Sequence, residues 1–341
     1  MRTYKQWVLR TLLVLVGAII SFVGFNVFID PLWVFGHAHA WNDVQNNYDE
    51  RLTKTNRITY QPFDYDRILL GNSRVNMINQ NDFKRLRVYN YAVPGLEIDE
   101  IHDMIEYAKK QRGQEFQTIL IGLDIAQTNT REPSERITSY FENHEDPFHI
   151  VKMLLSMDTF EHAAGNFRAS IKNSHDFLRN YNRENIATVK KQTAAETETG
   201  INVIINKYQK SFSNKRYTYN EAYKETLEQW KQDNPNTQFI IFTTPLPTVT
   251  LQAIWAQGRV ADYNRWLSEL VDVFGEVVHF ENDNSITRNH SNFYDGGHYY
   301  EHIGTMIAHR IMDVPDPTVP DDFGILLTQD NLASYLASIV P

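Results

Sequence analysis

The 341-residue chain contains no cysteine. That excludes disulfide staples, thiol catalysis and cysteine metal sites, and it suits either the cytosol or an exported bacterial domain. A basic run is also missing, and the formal net charge is −9. Nucleic acid is therefore excluded as a partner, because neutralising phosphates takes clustered Lys and Arg. The G-x-S-x-G elbow of ordinary α/β-hydrolases is absent, since Val75 stands where its last glycine would be. No internal repeat or low-complexity tract stands out. The length suits one α/β domain with an insertion and appendages.

What is present centres on Arg67-Ile-Leu-Leu-Gly-Asn-Ser-Arg74, an apolar run that stops at Gly71 and delivers Ser73 into a turn at a strand end. A serine there is most often a helix N-cap. Far downstream, Asn292-Phe-Tyr-Asp-Gly-Gly-His298 places Asp295 three residues before His298, with two glycines that let the backbone turn tightly. A serine hydroxyl becomes a useful nucleophile when an imidazole takes its proton and a carboxylate fixes that imidazole. Ser73, His298 and Asp295 can fill those roles. A rival reading comes from His298-Tyr-Tyr-Glu-His302, which matches the H-x-x-E-H zinc signature. No Glu or Cys follows Glu301 as a third ligand, so no metal and no cofactor is expected, and His302 reads as a helix-surface or capping residue.

From Thr11 to Ile29 the sequence carries no charge, and its 19 residues reach roughly 28 Å as a helix, near the hydrocarbon thickness. Arg2, Lys5 and Arg10 precede it, whereas Asp30, Asp43, Asp49 and Glu50 follow before the first basic residue, Arg51. The N-terminus is expected to stay inside and the rest to face outward. An A-x-A-like cleavage site at Ala38-His-Ala40 lies well past the run, which is also longer than a usual signal-peptide core, so retention as an anchor is favoured. Trp33 is expected at the membrane interface, and the polar stretch from Trp41 to Asp66 reads as a stalk or a surface-hugging lead-in.

Short apolar runs then alternate with helical patterns, as in a parallel sheet covered on both faces. Strands are expected at 67–70, 87–91, 118–123, 238–243 and 276–280. Helix stripes run through Ile98, Ile101, Met104, Ile105 and Ala108, and through Tyr263, Trp266, Leu267, Leu270 and Phe274. The pattern is that of a flavodoxin-like sheet with ligands at the carboxyl ends of its strands. It is interrupted over about 125–236 by a stretch rich in helix formers, expected to be a helical cap near the site. After the helix stripe at Ile303, Met306, Ile307 and Ile311, Pro315, Pro317 and Pro320 end the domain proper, and an amphipathic helix is expected from Thr328 to Val340, either packed back on the domain or meeting a partner.

On these residues the chain resembles SGNH/GDSL hydrolases, specifically the membrane-anchored branch associated with cell-envelope polysaccharide acylation, over roughly residues 60–312. Gly71-Asn-Ser73 fits the first block, Asn90-Tyr-Ala-Val-Pro-Gly95 resembles the second, and Asp295-x-x-His298 fits the last. Asp30-Pro-Leu-Trp33 also resembles the anchored relatives. Two departures are Asn72 before the serine and Gly122-Leu-Asp124 in place of G-x-N. The resemblance implies a three-layer α/β/α sandwich at 64–312 with the helical insertion, a cytoplasmic segment 1–10, an anchor 11–29, a linker 30–63 and a tail 313–341. It implies a serine esterase or O-acyltransferase on acyl esters, acetyl for example, of an envelope or exported polysaccharide. Its partners would be an acylated glycan and a membrane-bound O-acyltransferase.

Backbone N–H groups of Ser73 and Gly95 would form the oxyanion hole. Asp124, ionised, cannot donate there; it would be protonated, orient a loop or bind a sugar hydroxyl, with Gln127 or Asn129 supplying an amide. Arg74 would hold a substrate carboxylate or form a structural ion pair, and Asn72 would shape the turn. Asp124 also motivates a different class of function, a catalytically silent glycan-binding or assembly subunit.

Overall fold

The computed structural model describes residues 2–46, 48–84, 86–130, 141–174 and 178–339. They divide into two compact units, Met1–Phe63 with Glu135–Asn185, and Asp64–Ser134 with Ile186–Pro341. In chain order the helices used below are α1 Arg2–Ile29, α2 Glu50–Tyr60, α3 Ile98–Arg112, α4 His149–Leu154, α5 Met157–Lys172, α6 Ala194–Ser211, α7 Tyr223–Asp233, α8 Thr248–Trp255, α9 Val260–Phe274, α10 Glu301–Ile311 and α11 Gln329–Ser338.

The second unit is mixed α/β around a mostly parallel sheet. Its strands are β1 Arg67–Gly71, β2 Val88–Asn90, β3 Thr118–Leu123, β4 Gln238–Thr243, β5 Glu276–His279 and β6 Ile325–Thr328, in the order β2-β1-β3-β4-β5-β6. The first five run parallel, and β6 is antiparallel to β5. Strands buried on both faces read as unbroken apolar runs, and all six residues of β3 are buried accordingly. The chain leaves β1 toward β2 on one side and resumes at β3 on the other. That reversal opens a crevice at the carboxyl end of β1.

Helix ends follow local chemistry. Glu97 and Glu100 form a capping box at the start of α3, and Gly113 closes it in the left-handed conformation. In α9 the spacing of Tyr263, Trp266, Leu267 and Leu270 puts all four on one buried face, each contributing roughly 2 kcal/mol by leaving water.

Two expectations about organisation change here. The proline-rich tail returns to the sheet, since β6 pairs with β5 from Glu276↔Thr328 to His279↔Ile325. Four residues are too few to show a period, and the prolines before them read as an ending. The helix after it is α11; Val340 lies outside the described residues. The stretch 125–236 is also not one cap. Residues 131–140 and 175–177 lie outside the described residues, α4 and α5 belong to the first unit, and α6 and α7 belong to the second. Tyr223, Leu227 and Trp230 of α7 are buried, and Trp266 of α9 donates its indole N–H to Tyr223 Oη at 3.0 Å.

In the first unit, α1 is long and apolar enough to cross a membrane. Its last two turns are packed: Phe22 stacks on Phe160 of α5 at 4.9 Å, and Asn26 Nδ2 donates to Leu154 O at 2.9 Å. The stretch read as a stalk is folded. Asp30 accepts from the N–H groups of Val34, Phe35 and Gly36 and pairs with Arg183 at 2.5 Å. Glu50 accepts from Arg179 Nε and Tyr181 Oη, both at 2.9 Å. Trp33 is correspondingly not at the interface; it is 4% exposed and packs edge-on against Tyr181. Burial here runs through ion pairs between distant segments, which leave no hydrophobic period to read.

Candidate active site

Gly71 ends β1 with φ 150°, and a Cβ there would strike Val75 and Gly122 O. Gly122 stands directly opposite it on β3. The two glycines let the fully buried Val75 drop onto the sheet, so residues 72–74 turn back across the strand end. Asn90 secures the turn from β2, donating through Nδ2 to Val75 O at 3.0 Å and Ile78 O at 2.9 Å.

Ser73 Oγ lies 2.7 Å from His298 Nε2. His298 Nδ1 lies 3.0 Å from both Asp295 oxygens, and Asp295 Oδ1 also accepts from the N–H groups of Gly297 at 2.7 Å and His298 at 2.8 Å. A carboxylate only accepts, so the ring proton sits on Nδ1 and Nε2 is left to receive the serine proton. Burial works to raise the Asp295 pKa, but the His298 ring and these backbone donors outweigh it and hold the carboxyl below its ordinary value. The three residues stand in the relation that nucleophile, base and orienter require.

His298 lies before α10, which begins at Glu301 with Tyr300 as its N-cap. His298 and His302 therefore do not share a helical face, and the zinc geometry of H-x-x-E-H is not formed. His302 Nε2 instead lies 3.4 Å from Asn292 Oδ1.

Arg74, next to the serine, forms a buried ion pair. Its Nη1 meets Asp124 Oδ2 at 2.6 Å, its Nε donates to Gly297 O at 2.7 Å, and its Nη2 donates to Tyr208 Oη. Burial works against its charge, but Tyr208 and Asp124 raise its pKa on balance. Asp124 is thereby committed to structure: it also accepts from Asn72 Nδ2 and the Ala126 N–H. The expected substitute amides are committed too. Gln127 Nε2 donates to Leu96 O at 3.0 Å, and Asn129 Nδ2 donates to Arg216 O at 3.2 Å.

Ser73, Asn72, Gly95, Asp124 and His298 line one cavity of about 190 Å³, with Lys207, Tyr208 and Ser211 of α6 on its wall. Gly95 has φ 62° with open space where a side chain would point. The helical stretch expected near the site supplies α6 there, but how closely α6 backs the Asp295–His298 turn was not readable in the sequence. A Cβ on Gly200 would come within 3.0 Å of Asp295 Cβ, and one on Gly296 within 2.8 Å of Ile201 Cα, so this helix backs the Asp295–His298 turn at close range. Thr250 Oγ1 holds the same turn by donating to Gly296 O at 2.9 Å. Glu281 was also missed. It is fully buried, and burial and then Asp124 push its pKa well up, against the opposing pull of Arg74 and the Ile125 backbone N–H. None of these belongs to a motif.

The sequence matches no family model and no curated relative.

Proposed function

We propose that this protein is a membrane-anchored serine esterase or O-acyltransferase of SGNH type. Its substrate class would be the O-acyl esters of a cell-envelope or exported polysaccharide. The reading rests above all on the Ser73–His298–Asp295 arrangement at the carboxyl end of β1, with contacts of 2.7 and 3.0 Å. The strand order β2-β1-β3-β4-β5 is that of flavodoxin-like three-layer sandwiches, in which ligands sit at this switch point.

In this mechanism Ser73 Oγ attacks the ester carbonyl while its proton passes to His298 Nε2. The oxyanion that forms faces the N–H groups of Ser73 and Gly95. Collapse releases the sugar oxygen, which takes the proton from His298, and leaves the acyl group on Ser73. Water then gives hydrolysis, and a second sugar hydroxyl gives transfer. Exclusion of water from the cleft decides between them. The cavity of about 190 Å³ has room for a short acyl group such as acetyl. The basic residues before α1 and the acidic ones after it support a catalytic unit outside the cytoplasmic membrane of a bacterium, where a membrane-bound O-acyltransferase could supply acyl groups.

One observation favours a second reading, a silent glycan-binding or assembly subunit: Asp124 stands where an oxyanion amide is expected and is held by Arg74. Labelling the full chain in membranes with a fluorophosphonate separates the two. The esterase reading expects labelling that Ser73→Ala and His298→Ala both abolish. Folded wild-type protein that takes no label overturns it.

A further inference from the structure

We propose that the first unit rests in the membrane it is anchored to, with the α4–α5 corner and an aromatic cluster beside the end of α1 inserted shallowly into the outer leaflet. The inference rests on the anchor reading of α1.

Arg10 marks the inner boundary, since a guanidinium stays at headgroup depth. From Thr11 to Ser21 every side chain of α1 is exposed, whereas from Phe22 onward the helix is partly covered by its own unit. Those 11 bare residues rise only about 17 Å, against a hydrocarbon layer of about 30 Å. The remaining turns, Phe22 to Ile29, must therefore also lie in hydrocarbon. Whatever packs on them lies at nearly the same depth.

What packs there is α4 and α5. Phe160 stacks on Phe22, Phe25 meets Phe160 and Phe167, and Asn26 donates to Leu154 O. The surface at this corner is apolar where a water-facing surface would be polar. Met153 turns inward with Leu32 and Val34, but Phe148, Val151, Leu155 and Met157 are each at least half exposed. Phe148, Val151 and Leu155 follow the i, i+3, i+7 spacing of one helical face.

A second group occurs at the end of α1. Phe28, His39 and Trp41 pack together, with Phe28 and His39 stacked at 4.4 Å, and Phe28, Phe35 and Trp41 remain exposed. Amphipathic rings at this depth suit the headgroup boundary. Trp41, not Trp33, is the interfacial tryptophan. Charges set the limit of insertion. Lys152, paired with Asp146 at 2.5 Å, and Asp158 and Glu161 are exposed next to the corner, so these charges keep to the headgroup side while the apolar side chains meet hydrocarbon.

The absence of native cysteine makes a direct test clean. Single-cysteine full-length variants Leu155→Cys, Met157→Cys and Trp41→Cys would carry an environment-sensitive dye. They would be reconstituted in phosphatidylcholine/phosphatidylglycerol vesicles without any other protein. Val14→Cys serves as the embedded reference and the free dye–cysteine adduct as the aqueous one. We expect doxyl-labelled acyl chains to quench the Leu155 and Met157 sites, iodide to quench them several-fold less than the free adduct, and Trp41 to show intermediate behaviour. If Val14 is shielded while Leu155 and Met157 are as open to iodide as the free adduct, lipid is not the occupant and the proposal fails. If Val14 is itself open to iodide, the anchor reading fails first.

Discussion

Arg74 and Asp124 form a buried ion pair at 2.6 Å, Arg74 directly after Ser73 in the chain and Asp124 at the carboxyl end of β3. The pair ties the turn after β1 to the turn after β3, and Arg74 Nε extends the tie to Gly297 beside His298. Both sides of the candidate triad are thus held from one guanidinium.

That relationship predicts an asymmetric mutational response. Removing one partner strands the other charge in a dry site and costs about 3–5 kcal/mol, whereas replacing both with apolar groups costs much less. Arg74→Met and Asp124→Leu are each expected to be strongly destabilising, and the double variant to recover much of the loss in denaturant unfolding. Additive losses would contradict this account.

Asp295→Asn is expected to leave the fold intact and to cut esterase turnover by roughly 10³–10⁴-fold, because the amide no longer secures the ring proton on Nδ1. Turnover of short-chain aryl esters by purified full-length protein checks it. The loss should appear in kcat, with KM little changed.

The contact of α6 with the Asp295 turn predicts that size at position 200 controls catalysis. A valine at Gly200 would set its Cβ 3.0 Å from Asp295 Cβ and add two methyl groups beyond it. Gly200→Val is expected to slow fluorophosphonate labelling of Ser73 by about tenfold or more, since small displacements of catalytic groups are costly. Gly200→Ser should retain more. Equal labelling rates in wild type and Gly200→Val would remove α6 from the positioning of the site.

Lys54 in the first unit supplies a pH signature. It is fully buried, and burial, opposed by Glu50, pushes its pKa from 10.5 down to about 7. Between those values the unfolded chain holds a proton that the folded chain has released. Stability should therefore rise with pH, by up to roughly 1.4 kcal/mol per pH unit, from about 7 toward 10.5. Unfolding midpoints measured across this window should climb in wild type and flatten in Lys54→Met.

The sequence by itself determined the elements whose physics is local or periodic. The five parallel strands were readable because strands buried on both faces must be apolar throughout, and α3 and α9 because their stripes follow the helical repeat. The serine and the Asp295-x-x-His298 turn were readable as a candidate site, since each carries its turn-forming glycines with it. Only the tertiary structure decided what depends on residues far apart in the chain. It brought Ser73 to His298 across 225 positions and, of the roles open to Asp124, selected the structural one as counter-ion of Arg74. It made α6 the wall of the site through the close approach of Gly200 and Gly296. It also folded the apparent stalk through the Glu50–Arg179 and Asp30–Arg183 pairs. Ion pairs and glycine contacts have no period and no fixed spacing, so they enter a fold only when the chain has closed on itself.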